Sequence, residues 1–206
     1  NNGQLSHIIR DRFLLDVCRL IHENSISDQS ASGALRFRDF RDDEATMHKL
    51  FEDFVRNFLK IEQTEFKVHS PKIPWDVTEA DEHSLSLLPE MQTDIVLEND
   101  EEVRIIDTKF YKEPLGDHHR AHKLRSGNLY QVMSYLSAFI ASAKQVGRRT
   151  DAMLLYAATQ ESFSAEYKTS KGWLRAATVD LSSTTDDIAE QVLSCVQGPS
   201  LSGSRR

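Results

Sequence analysis

An α/β domain, built as a mixed β-sheet flanked by helices, is the fold this sequence predicts. Two stretches with apolar residues at helical spacing bracket a hairpin in the middle of the chain, and a continuous apolar run follows the second of them. The order helix, hairpin, helix, strand is that of a sheet covered by helices rather than of an all-α or all-β domain. At 206 residues the chain is long enough to bury a core without disulfides or a structural metal.

The elements follow in order. Over residues 4–24, Leu5, Ile8, Ile9, Phe13, Leu14, Val17, Leu20 and Ile21 recur at helical spacing, and a Ser-rich connection over 25–33 follows. A second helix over 43–61 carries Met47, Leu50, Phe51, Phe54, Val55, Phe58 and Leu59 as one stripe, and its acidic first turn suits the helix dipole. Residues 64–69 read as a short strand, and Pro71 and Pro74 bracket a turn before Trp75. Residues 94–97 and 103–107, joined by Glu98-Asn99-Asp100-Glu101, read as a β-hairpin. A polar loop over 112–126 precedes a third helix marked by Leu129, Val132, Met133, Leu136, Phe139 and Ile140. The run 153–158 reads as a buried strand, 163–167 and 173–181 as further strands, and 186–196 as a closing helix. The expected division is an N-terminal helical extension over 1–40, one domain over 41–197 and a disordered Gly/Ser-rich tail over 198–206.

Composition narrows the function. A net charge of −7 and a pI near 5.6 provide no bulk basic field, which excludes coating DNA through overall charge but leaves a local groove open. Cys18 and Cys195 lack C-x-x-C spacing, so neither a zinc site nor a disulfide framework is expected, and a reducing cytoplasm is. No apolar run reaches membrane-spanning length, and no signal peptide is expected. Because residue 1 is Asn rather than Met, a piece of a longer polypeptide is expected.

Chemistry concentrates around Asp107-Thr108-Lys109 at the end of the second hairpin strand. Residues i and i+2 of a strand face one side, so Asp107 and Lys109 project together, and Asp94 begins the partner strand. Two carboxylates and an amine at a strand end suit a hydrolytic metal site, in which hard oxygen ligands hold Mg²⁺ and the ion acidifies water. The triplet alone arises by chance roughly once in such a chain, and a hairpin with exposed charges is the competing reading. Ile105 and Ile106 place Asp107 where core meets cleft. Glu52 borders the apolar stripe of the second helix, where an ordinary flank residue would also stand. Gln131 and Tyr135 lie one helical turn apart on a shared face, while Tyr130 and Tyr135 also suit a core edge. In the 112–126 loop, His118, His119, Arg120, His122, Lys123 and Arg125 form a basic cluster. Phosphate contacts by Arg120, Lys123 and Arg125 are the preferred reading; histidine metal ligands and a plain solvated loop are the alternatives.

The succession of Glu52 on a helix, Asp94, D-T-K at 107–109 and Y-Q-x-x-x-Y at 130–135 resembles the PD-(D/E)xK nuclease superfamily. The stretch TDIVLENDEEVRIIDTKFY, with LFEDFVRNFL before it and NLYQVMSYL after it, resembles more narrowly the McrC nuclease subunits of McrBC-type modification-dependent restriction systems. The resemblance runs from about Met47 to Leu181 and is strongest from Thr93 to Leu136. It implies a restriction-endonuclease-like fold and an endonuclease that uses Mg²⁺, with Mn²⁺ as a substitute. Asp94 and Asp107 would be metal ligands, Glu52 an accessory acid at the metal, Lys109 the water-orienting or charge-stabilising group, and Gln131 and Tyr135 the auxiliary pair. It further implies methylated duplex DNA as substrate, a GTP-hydrolysing AAA+ partner of McrB type, a homodimer or hetero-oligomer, and a prokaryotic cytoplasm. Thr93 stands where the superfamily's name has proline, as is common in McrC-like proteins. No G-x-x-x-x-G-K-[ST] occurs, so nucleotide hydrolysis would belong to the partner. The resemblance implies as well an upstream segment that docks on that partner, with no candidate for it expected in this sequence beyond the first forty residues. The rival functions are a partner-independent repair or recombination nuclease of the same fold and a catalytically silent DNA-binding adaptor.

Overall fold

The computed structural model describes residues 44–111, 116–118, 121–141, 147–158, 162–195 and 197, with the backbone alone at 44, 116–118, 121 and 122. The 1–40 extension and the 198–206 tail lie outside the described residues.

The first helix, α1 (Glu44–Glu62), buries Met47, Phe51, Phe54, Val55, Phe58 and Leu59, the stripe its spacing predicts. The strand expected over 64–69 is shortened to β1 (Lys67–His69). Gln63 accounts for the difference: its side chain donates to Phe66 O and accepts from Phe66 N, both at 2.8 Å, and so holds the intervening residues in a turn. The expected turn at Pro71 and Pro74 instead includes a two-residue strand, β2 (Lys72–Ile73). An excursion containing a short helix, α2 (Glu82–Ser86), returns as β3 (Met91–Gln92), which pairs with β2. Neither short strand has enough residues for a period-2 signal.

The central hairpin is β4 (Ile95–Glu98) and β5 (Glu102–Phe110), in register from Ile95 opposite Ile106 to Glu98 opposite Val103. Its turn is set by Asn99, whose side-chain oxygen accepts from the backbone N–H of Glu101 and Glu102. The polar loop that follows contains a small hairpin, β6 (Gly116–His118) with β7 (Ala121–Lys123), which its composition did not signal. Then come α3 (Ser126–Ala141), β8 (Arg149–Ala158), β9 (Ser164–Lys168), β10 (Trp173–Asp180) and α4 (Thr185–Leu193). The closing helix stops short of 196, and Cys195 is buried just beyond it.

Six strands form one mixed sheet in the order β1-β4-β5-β8-β10-β9. The β5–β8 and β8–β10 pairs are parallel, the others antiparallel. Ile95, Leu97, Ile106, Phe110, Met153, Leu155 and Ala157 pack with α1 and α4 on one face. Val96, Val103 and Ile105, together with Ala152, Leu154 and Tyr156, pack with α3 on the other. Burial on both faces explains why the middle strands read as apolar runs rather than alternations. The expected α/β architecture is therefore present, and it is restriction-endonuclease-like. Among the described residues, no helix is long and apolar enough to cross a membrane.

The β9–β10 turn depends on Gly172, at φ 153°, where an added Cβ would lie 2.1 Å from the Thr150 carbonyl oxygen. Gly172→Ala is expected to lower stability by about 1–3 kcal/mol in urea denaturation. Gly127→Ala, where a Cβ would meet nothing within 4 Å, is expected to be neutral or slightly stabilising.

Candidate active site at the overhanging end of β5

Strand β5 pairs with β8 along its whole length but with β4 only as far as Ile106, because β4 begins at Ile95. Residues 107–110 thus have a strand on one side only. Asp94, immediately before β4, fills part of the other side. Its Oδ2 accepts from the Thr108 backbone N–H and from Thr108 Oγ1, each at 2.8 Å. The carboxylate takes the place of the missing strand for that backbone donor and is fixed at the strand edge in return.

Asp107 and Lys109 share the α3 side of the sheet, as the strand period predicts. Asp107 is 0% exposed and Lys109 only 7%. Lys109 Nζ lies 2.7 Å from Asp107 Oδ2, a contact ion pair. Beyond that contact, neither Asp107 oxygen has a hydrogen-bond donor among the described residues. Burial pushes the Asp107 carboxyl from its ordinary 3.8 up to about 7. The nearby charge of Lys109 works against that rise, and those of Asp94 and Glu52 add to it.

Gln131 and Tyr135 come to the same point from α3. Lys109 Nζ donates to Gln131 Oε1 at 3.0 Å, and Gln131 Nε2 donates to Tyr135 Oη at 2.8 Å. Burial raises the Tyr135 phenol above its ordinary value, so it stays neutral. The helix is anchored over the strands by Asn128, which accepts from Tyr111 Oη and donates to Tyr156 Oη, each at 3.2 Å.

Glu52 enters from α1 on the opposite face. Its Oε1 accepts from Lys49 Nζ at 2.7 Å and Arg56 Nη1 at 2.5 Å. Arg56 also pairs with Asp53 and reaches the Asp94 carbonyl oxygen at 3.5 Å. Glu52 is therefore close enough to influence Asp107, but it is held by cations rather than gathered with the other two acids. Among the described residues, no three His, Cys, Asp or Glu side chains converge on one point.

Two residues escaped the sequence reading. Thr108, passed over as the variable position of D-x-K, is the partner of Asp94; its hydroxyl beside an acid-bearing strand end was the available signal. Arg56 links Glu52 to the Asp94 backbone, and its spacing of four from Glu52 was visible. Thr93, noted above as standing where the superfamily's name has proline, has a structural reason to be there. Its N–H and hydroxyl both donate to Pro71 O, at 3.3 and 3.1 Å, and proline has neither donor.

Of the basic residues, Arg125 stacks its guanidinium 4.3 Å from the Tyr111 ring centre, beside the end of β5. Lys123 is exposed and lines a groove of about 560 Å³ with Leu124, Leu129, Phe163 and Tyr167. Arg120 and His119 lie outside the described residues, as do the side chains of His118 and His122.

A buried carboxyl in contact with a lysine, a second carboxyl at the strand edge and a glutamine that orients that lysine form a set suited to a hard divalent cation. The class is thus a restriction-endonuclease-like α/β domain with its acids at the split between two central strands. The comparison with known families agrees: residues 45–157 match the family described as McrBC 5-methylcytosine restriction system component, and the chain belongs to that family. It is 31% identical over 182 residues to the "Type IV methyl-directed restriction enzyme EcoKMcrBC" of Escherichia coli (strain K12). That match covers 88% of this chain and 51% of the relative, so the chain spans about half the relative's length.

Carbon-detected titration of the Asp107 carboxyl should give a midpoint near about 7, and Lys109→Met should move it higher by removing a stabilising cation. Because the folded value lies above the ordinary 3.8, this carboxyl's contribution to stability is complete below pH 3.8 and is lost as pH rises through about 7. A midpoint in the ordinary carboxylate range would contradict the burial described here.

Proposed function

We propose that this chain is the DNA-cutting subunit of a modification-dependent restriction system: a Mg²⁺-dependent endonuclease acting on 5-methylcytosine-bearing DNA with a GTP-hydrolysing AAA+ partner. The observation that carries the reading is Asp107, fully buried, with the Lys109 ammonium 2.7 Å away and no further hydrogen-bond donor on either oxygen among the described residues. A buried carboxyl left in that state is destabilising, and such groups cluster where chemistry needs them. A catalytically silent adaptor would have no use for it. The family match supports the restriction-system setting.

In this reading Asp94 and Asp107 hold the cation, with Mn²⁺ as a substitute. Mg²⁺ at these carboxylates would acidify a water for in-line attack on the phosphodiester and neutralise charge on the phosphate. Thr108 holds Asp94 in place, and Asp107 gives up its proton on loading. Lys109, kept in place by Gln131, orients the nucleophile or stabilises developing negative charge. Tyr135 orients Gln131, and Glu52 serves as an accessory acid at one remove, through Arg56. Arg120, Lys123 and Arg125 contact phosphates without reading bases, so the recognition of modified cytosine falls to the partner.

Asp107→Ala and Lys109→Ala should lower Mg²⁺-dependent cleavage by about two orders of magnitude or more while the circular dichroism spectrum is retained. Calorimetry should show Mg²⁺ binding lost in Asp94→Ala and Asp107→Ala. The assay compares methylated and unmethylated plasmid, with and without the GTPase subunit. Undiminished cleavage by either variant, in protein free of contaminating nuclease, would overturn the proposal.

A further inference from the structure

Thr108 settles which oxygen of the Asp94 carboxylate is left over. Its backbone N–H and its hydroxyl both donate to Oδ2, each at 2.8 Å. A carboxylate oxygen accepts along its two lone-pair directions, so this pair of donors occupies Oδ2 in full. Among the described residues, Oδ1 receives no hydrogen bond.

Neither donor is free to move away. Thr108 is 0% exposed and stands opposite Leu155 in the β5–β8 ladder, which fixes its backbone. Its branched side chain has few rotamers to choose from. Asp94 is tethered as well, because Arg56 Nη1 reaches its carbonyl oxygen at 3.5 Å. Asp107 shows the same division of labour: Oδ2 meets Lys109 Nζ at 2.7 Å, and Oδ1 has no donor among the described residues. Each acid therefore presents one unengaged oxygen.

We infer that Thr108 is a positioning residue that restricts Asp94 to ligation through Oδ1 alone, and thereby biases the candidate site toward Mg²⁺ and against Ca²⁺. Mg²⁺ demands a near-ideal octahedral shell, which single carboxylate oxygens, water and phosphate can fill. Ca²⁺ is larger, takes about six to eight oxygens and accepts carboxylates through both oxygens at once. An acid with one oxygen already saturated denies Ca²⁺ that second contact and withholds nothing that Mg²⁺ requires. The hydroxyl is the part of the device that depends on residue type. Any other residue except proline would keep the backbone N–H, but without a hydroxyl one direction of Oδ2 would open to a cation. The inference rests on the Mg²⁺ reading proposed above and adds which oxygen binds and which ion is refused.

The test is calorimetric titration of Mg²⁺ and Ca²⁺ into wild type, Thr108→Ser and Thr108→Ala, with folding checked by circular dichroism. Both variants lose the same buried methyl group, so they differ from each other only in the hydroxyl. Thr108→Ser is expected to keep the wild-type ratio of Mg²⁺ to Ca²⁺ affinity within about twofold, and Thr108→Ala to lower it about three- to tenfold. Infrared difference spectra on Ca²⁺ loading should show carboxylates bound through one oxygen in wild type and a new two-oxygen band in Thr108→Ala. A two-oxygen band already present in wild type overturns the inference, whether or not the variants fold. An unchanged ratio in Thr108→Ala overturns the role of Thr108 and leaves the metal site standing. Equal falls in Thr108→Ser and Thr108→Ala assign the effect to the lost methyl group and overturn it too. Failure of the wild type to bind Mg²⁺ at all overturns the metal reading itself.

Discussion

The organisation of the site follows from one mismatch in strand length: β5 continues past the point where β4 begins. A backbone edge left bare inside a domain must find hydrogen-bond partners. Here the Asp94 carboxylate meets that need at Thr108, which places one acid opposite another without a loop dedicated to the purpose. The same overhang carries Asp107 and Lys109 beyond the paired part of the hairpin while β8 still holds them from the other side. A β4 one residue longer at its start would cover the edge, displace Asp94 and close the gap between the two acids.

Much of this was legible from residue order. The helical stripe of α1, the hairpin, and the buried β8 run all leave strong periodic or apolar signals, and each is present where the spacing places it. The i, i+2 rule brings Asp107 beside Lys109, and the i, i+4 rule joins Gln131 to Tyr135. What was not legible depends on contacts distant in sequence or on elements too short to show a period. The clamp at Gln63 that shortens β1 is a local side-chain choice that no propensity expresses. The pairing of β2 with β3 spans the whole excursion between them, and the β6–β7 hairpin consists of residues that also suit a loop. Glu52 was expected with the acids, but its helix brings Lys49 and Arg56 along, and those cations hold it.

Charge also takes on a finer meaning. An overall value of −7 describes neither end of the molecule well. The acids include a buried group that burial and neighbouring acids hold well above the usual carboxylate range, and an exposed set between β2 and β3 in which Glu90 pairs with Lys72. Arg125, by contrast, is held flat on Tyr111 next to the strand end.

The hydrogen-bonded pair on α3 has a directional consequence. A lysine ammonium can only donate, so the Gln131 amide must turn its oxygen toward Lys109. Its nitrogen then has to face Tyr135, and the phenol oxygen is obliged to accept. Each group's polarity dictates that of the next, and the sense of the whole row is set by residue 109. An acceptor at that position would reverse the amide and require the tyrosine to donate instead. The row thus works as a keyed joint: it admits a cation at one end of α3 and registers, two side chains away, whether one is there.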